Sequence, residues 1–456
     1  MKRLRIALVL AGALGWTHPT TAADLPACAP PTSACLLQEA GTAAEGLDRQ
    51  LERDEARFEI AAAMARLGLL DAASQEAAGI ENASIRAGAM GEIVRGAARQ
   101  GDFAFAYDVA VAIADARNRS AKVQALEALA IAQAAAGDID GAFATVIAID
   151  NPYRRSQAQA EIAASVARSG DIPAAIRAAS RIAMDYWFTD DQQQGKIASG
   201  LVARTDEFDQ FWFHEALVTI AGIQASAGDI VAALQTAQAI PDLGGRSRAM
   251  GRIAAEQAGQ GDIAAARETA RRIAAAYGDR DAMVAIADGM AAQGDFAAAL
   301  DLARRIQAAY GEGAALVAVA TRQARAGAFK ASLATAAEID DVDDLIHARA
   351  AIAQELARAG EEAAALDVVA QIPDRRLRFD TVQAITEVLA TSGEVARAID
   401  LAETFASRGD LAELVAEVAL AQARAGDLDG AVATARSVDD GMFRAIALAG
   451  IAALIP

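Results

Sequence analysis

The residues best suited to make specific contacts fall between positions 183 and 214. Tyr186-Trp187-Phe188, Phe208 and Phe211-Trp212-Phe213 place seven aromatics in this one segment, a third of the 21 in the chain. Asp185, Asp190, Asp191, Asp206, Glu207 and Asp209 lie among them. Aromatic rings bury large areas and suit packing, while Trp and Tyr also dominate binding hot spots. The segment therefore reads either as a plug in a helical stack or as an exposed aromatic and acidic contact surface. Gln192 to Arg204 is long enough for one further short helix.

A second set is cationic. Arg66, Arg99, Arg168, Arg325, Arg358 and Arg424 each stand two residues before a recurring glycine. In a stacked repeat one register becomes a ladder along one surface, able to receive an acidic peptide or a carboxylate. Alternatively, these are last-turn cations that complement helix dipoles. Arg86, Arg119, Arg155, Arg246, Arg378 and Arg444 form another series, eighteen residues after the glycine, expected to pair with neighbouring carboxylates.

Catalytic signatures are absent. Beyond His18 the histidines are His214 and His347, and no His-Glu-x-x-His, Gly-x-Ser-x-Gly or phosphate-loop pattern occurs. Carboxylates alone can hydrolyse glycosides, and Asp190 or Glu207 would have to serve. The acidic run Glu338 to Asp344 lacks the glycine and spacing of an EF-hand loop. The expectation is a non-enzymatic protein without cofactor or metal.

What positions these residues is a repeat. A turn glycine recurs at Gly68, Gly101, Gly137, Gly170, Gly228, Gly261, Gly294, Gly327, Gly360, Gly393 and Gly426, the last six steps being identical in length. Three residues before it stands Ala in every unit, and eight before it Ile, Leu or Val. Five after it stands Ala or Ser332, nine after it Ala or Val, and twelve after it Ile, Phe405 or Val438. Offsets of +5, +9 and +12 mark one face of a helix. Glycine suits the left-handed residue that ends a helix. The Asp that usually follows suits the N-cap of the next. Each unit thus reads as helix, tight turn, helix, with two helices of roughly 12–13 residues.

The segments Gln293-Gly-Asp-Phe-Ala-Ala-Ala-Leu and Gln100-Gly-Asp-Phe-Ala-Phe-Ala-Tyr, with Ile286-Ala287 and Ile352-Ala353 before their glycines, resemble tetratricopeptide repeats. The resemblance covers about residues 50 to 440 and implies an all-α fold. That fold is an α-solenoid, a right-handed superhelix of about eleven helix-turn-helix repeats, each of roughly 33 residues. The family's aromatic positions and closing proline are mostly replaced here. Some members grip a C-terminal carboxylate with Lys and Asn on successive first helices. The corresponding positions here include Phe58, Glu59, Glu92, Ala128 and Thr219, without Asn, so that clamp is not expected.

The ends complete the organisation. Met1-Lys2-Arg3-Leu4-Arg5, the apolar run Ile6 to Trp16 and the small residues to Ala23 describe a secretory leader over 1–23. The run is short beside the roughly 20 apolar residues that span a bilayer. Residues 24–47 read as an N-terminal cap stapled by a Cys28–Cys35 disulfide, as expected in an oxidising compartment. Cys28 also loosely suggests a lipid-attachment box, which Pro26 fits poorly. Repeats occupy 48–182, the aromatic insertion 183–214, and further repeats with a C-terminal cap 215–456. The net charge of −19 becomes −22 once Lys2, Arg3 and Arg5 leave with the leader, which disfavours nucleic acid. The expectation is an exported, periplasmic scaffold for a protein or peptide, with no stable membrane insertion. The alternative is an envelope factor that binds glycan or peptidoglycan through the aromatic insertion.

Overall fold

The computed structural model describes residues 31–113, 119–188, 206–272, 280–405 and 408–455. The leader, Cys28 and the core of the aromatic insertion lie outside these residues. Among the described residues, twenty-four helices alternate in role. The long ones are α2 (Gln50–Arg66), α4 (Ala83–Arg99), α6 (Arg119–Ala135), α8 (Pro152–Arg168), α10 (Asp206–Ser226) and α12 (Leu243–Gly259). The series continues with α14 (Arg280–Ala292), α16 (Ala314–Arg325), α18 (Val342–Arg358), α20 (Arg375–Thr391), α22 (Arg408–Arg424) and α24 (Gly441–Ala452). Between them run α1 (Ser33–Glu45), α3 (Leu70–Ala78), α5 (Phe103–Ala112), α7 (Ile139–Val146), α9 (Ile172–Phe188) and α11 (Ile230–Ala239). The last six are α13 (Ile263–Arg271), α15 (Phe296–Tyr310), α17 (Phe329–Ala336), α19 (Glu362–Val369), α21 (Val395–Phe405) and α23 (Leu428–Ser437).

Local chemistry sets each hairpin. All eleven turn glycines have φ between 74° and 94°, where a side chain would be strained. Asp102, Asp138, Asp171, Asp229, Asp262, Asp295 and Asp427 each accept a hydrogen bond from the backbone N–H three residues on, capping the second helix as expected.

The two helices are not equal in length. Most long helices have 17 residues and most second helices 8–11. In five units where the second helix ends shortly before the +12 residue, the carbonyl of that residue accepts from the arginine six residues later. Arg86 donates to Ile80 O, Arg155 to Ile149 O, Arg246 to Ile240 O, Arg378 to Ile372 O and Arg444 to Val438 O, at 2.6–3.1 Å. That second arginine series therefore seals backbone carbonyls rather than pairing with carboxylates. The side chain of Arg119 lies outside the described residues.

A buried polar pair fixes how the helices of a hairpin face each other. Thr145, Thr236, Thr269, Thr335 and Thr434 donate to Gln133, Gln224, Gln257, Gln323 and Gln422 at 2.6–2.8 Å. Replacing Thr269 with Val keeps the shape but strands the amide oxygen of Gln257, a residue only 6% exposed. The variant is expected to lose about 1–3 kcal/mol, read as a lower urea midpoint with unchanged slope. The double replacement with Gln257→Leu should recover part of that loss.

The array closes on itself. Each long helix packs on the next, from α2 through to α24, and α24 packs back on α2. The segment expected to be an N-terminal cap is instead a second helix. α1 packs on α24 and α2 as every second helix packs on its own long helix and the following one. Leu36, Leu37, Ala40 and Ala44 share one buried cluster with Ala431, Ala445, Leu448 and Ala452. Arg436 and Glu39, at opposite ends of the chain, form a two-pronged ion pair at 2.8 Å. The twelfth hairpin is thus split, its first helix from the C-terminal end and its second from the N-terminal end.

Candidate binding surface

Long helices touch both neighbours, whereas second helices pack mainly on long ones. In a closed array the tightly packed wall has the smaller circumference, so the long helices form the inner wall. At about 8–10 Å between neighbouring axes, twelve of them enclose a ring about 30–40 Å across between opposite axes.

The unburied face of each long helix lies near positions −13, −9, −6 and −2 relative to its glycine, the i, i+4, i+7, i+11 stripe of one helix. Neighbouring stripes touch. Arg248 pairs with Glu215, both at −13, and Arg252 donates to Thr219 Oγ1, both at −9. Further along the wall Arg322 forks onto Asp288 at 2.7 Å.

Charge is unevenly spread around this wall. On α20, α22, α2 and α4 the stripe carries Asp380, Glu387, Glu413, Glu417, Glu55, Glu59 and Glu92. Burial pushes the Glu59 carboxyl up, Arg66 opposes that, and Glu92 and Glu417 add to it. Burial likewise raises Glu417, against Arg424 and with Glu387 and Glu413. Burial raises Glu413 too, with Asp410 and Asp380 adding and Arg376 opposing. Glu92 is exceptional. Burial would raise it, but the hydrogen bond and charge of Arg95 outweigh that and hold it low.

The six arginines at −2 are all exposed at the ends of long helices, along one edge of this stripe. Arg325 and Arg358 share Glu355 at 3.1 and 2.6 Å, Arg424 meets Glu387 at 3.2 Å and Arg168 meets Glu161 at 3.5 Å. Arg66 and Arg99 lie beside Glu59 and Glu92, whose charge they stabilise. Most of these arginines are therefore engaged with carboxylates of the same wall.

The aromatic insertion divides between the two sets of residues. Tyr186, Trp187 and Phe188 end α9, and their side chains lie outside the described residues, as does the Gln192–Arg204 segment. Phe211, Trp212 and Phe213 stand in α10. Trp212 is half-buried and edges onto Tyr153 of α8 at 5.4 Å and onto Phe211 at 5.2 Å. Phe211 is 44% exposed and Tyr153 46%. The insertion does not interrupt the wall, because α8 packs directly on α10. A cleft of about 490 Å³ lies by α6 and α8, lined by Ser120, Lys122, Gln124, Asp150, Asn151 and Arg154.

Sequence reasoning named Glu59 and Glu92 only as positions lacking a clamp residue. It missed that Glu413 and Glu417 join them. The signal was present at the chain end: Ala40, Ala44 and Leu47 stand at +5, +9 and +12 from position 35, one repeat step before Gly68. Cys35 is disulfide-bonded. Among the described residues no helix is long and apolar enough to cross a membrane, and no cluster of His, Cys, Asp or Glu could hold a metal ion.

No family model matches the chain, and no curated protein does. Among solved structures it is similar to Ton1535 from Thermococcus onnurineus NA1, at 18% identity and TM-score 0.24, over 70% of this chain and 96% of that one. It is also similar to a circular tandem repeat protein with novel repeat topology, at 16% identity and TM-score 0.15, over 88% and 82%. Likenesses this weak add nothing to the ring architecture, which rests on the helix packing itself.

Proposed function

We propose that the chain is an exported, periplasmic scaffold of the tetratricopeptide type that holds a protein or peptide against the inner wall of its ring. The observation that supports this most is the continuous polar stripe of the long helices, carboxylate-rich on α20, α22, α2 and α4 and edged by arginines at −2. Such a wall presents hydrogen-bonding and charged groups at repeat spacing, which suits an extended chain. Its acidity and the net charge of −19 disfavour nucleic acid. Catalysis, a cofactor and membrane insertion form no part of this reading.

A second reading, glycan binding at the aromatic patch, draws on the exposed Phe211 and Tyr153 beside Trp212. A tagged pull-down from envelope extract separates the two. A partner held by the wild type and by Trp212→Ala, but lost by Glu59→Gln/Glu92→Gln/Glu417→Gln, supports the inner wall. Loss of co-sedimentation with peptidoglycan in a folded Trp212→Ala variant supports the glycan reading instead. Retention of every partner by both variants overturns both sites.

A further inference from the structure

Eleven of the twelve hairpins are joined by their own turn. The twelfth, α24 with α1, is held by side chains alone, through the packing of Leu36, Leu37, Ala40 and Ala44, and the Arg436–Glu39 fork ties α1 to α23 beside it. Residues near chain ends are where local opening starts. On its inner face α24 offers Gly450 at −9 and Ile446 at −13. The flanking helices α22 and α2 offer Glu417 and Glu59 at −9, and Glu413 and Glu55 at −13. The seam thus carries carboxylates on both sides, and Arg444, the cation of the helix between them, is engaged by the carbonyl of Val438. At the corresponding place on α10 and α12, Arg248 answers Glu215.

We infer that this seam is a proton-sensitive latch, at which the ring closes more tightly as Glu59 and Glu417 lose their charge. The charged groups acting on Glu59 are Arg66 from its own helix, Glu92 from α4 and Glu417 from α22. Those acting on Glu417 are Arg424 and Glu413 from its own helix, Glu387 from α20 and, across α24, Glu59 from α2. When ionised, the two carboxylates repel across α24 and stay partly desolvated. Both are held above the ordinary carboxylate range in the folded chain. A carboxyl raised in this way favours the folded, closed form below its unfolded pKa, and that contribution is lost as pH rises through the folded value. Closure therefore loosens as the pH rises past the ordinary carboxylate value.

The inference rests on ring closure alone and needs no partner. Its test is hydrogen exchange of the full chain at about pH 4, below the ordinary glutamate value, and at about pH 8, corrected for intrinsic rates, with α12 as the internal reference. Protection of α1 and α24 should fall several-fold relative to α12 at the higher pH. The Glu59→Gln/Glu417→Gln variant should remove that difference, and each single variant should remove part of it should the double variant fold poorly. Arg436→Gln should raise exchange of α1 at both pH values. Parallel behaviour of α1, α24 and α12, a pH difference that persists in the glutamine variants, or an unchanged α1 in Arg436→Gln would each overturn the latch.

Discussion

Replacing Leu36 with alanine is expected to lower the stability of the ring by about 2–5 kcal/mol, the range for deleting a fully buried leucine. Leu36 is 0% exposed and packs in a cluster built from both ends of the chain. In an open array, a terminal helix supports one neighbour and can fray without consequence for distant repeats. Here α1 bridges α24 and α2, so its loss removes contacts from the last unit and the first together. The expected result in urea is one cooperative transition with a lower midpoint, detected equally by tryptophan fluorescence and by far-ultraviolet circular dichroism. A variant that merely frays at residues 33–45, with an unchanged midpoint elsewhere, would show that closure does not couple the ends.

The second large effect concerns overfilling. Ala299→Leu and Ala291→Leu are each expected to cost about 1–3 kcal/mol, because a packed interface has no room for three further carbons. Ala299 is 0% and Ala291 2% exposed, where α15 and α14 meet. The closeness of the wall is visible nearby: a Cβ added to Gly289 of α14 would lie 2.6 Å from the backbone oxygen of Ala258 on α12. Thermal unfolding checks this, and midpoints unchanged in both variants would remove the assigned register. A milder loss at Ala291 than at Ala299 would locate the available space on the α14–α16 side.

Much of the hairpin was legible in the sequence because it is set by short-range physics. A left-handed residue after the first helix admits glycine readily, so Gly68 to Gly426 mark the turns. The Asp that follows satisfies an orphan backbone N–H, so it marks the start of the second helix. Small residues recur where two helices meet. Helix lengths were less legible, since periodicity identifies a face and not an end. The bond from an arginine back to the +12 carbonyl, as from Arg246 to Ile240, exists only once the chain has turned.

Closure was decided only in three dimensions. Turn glycines are required where the chain passes directly from first to second helix, and position 35 is not such a place, so no glycine marks α1 as a second helix. Whether the ends of twelve hairpins meet depends on the small rotation added at every interface, a sum that no local pattern states. The same summation brings Glu417 to Glu59 from opposite ends of the chain and makes a string of repeat positions into one charged wall. The repeat unit and its capping chemistry belong to the sequence. The ring, its seam and the company its carboxylates keep belong to the tertiary structure, because burial and mutual repulsion exist only once the ends have met.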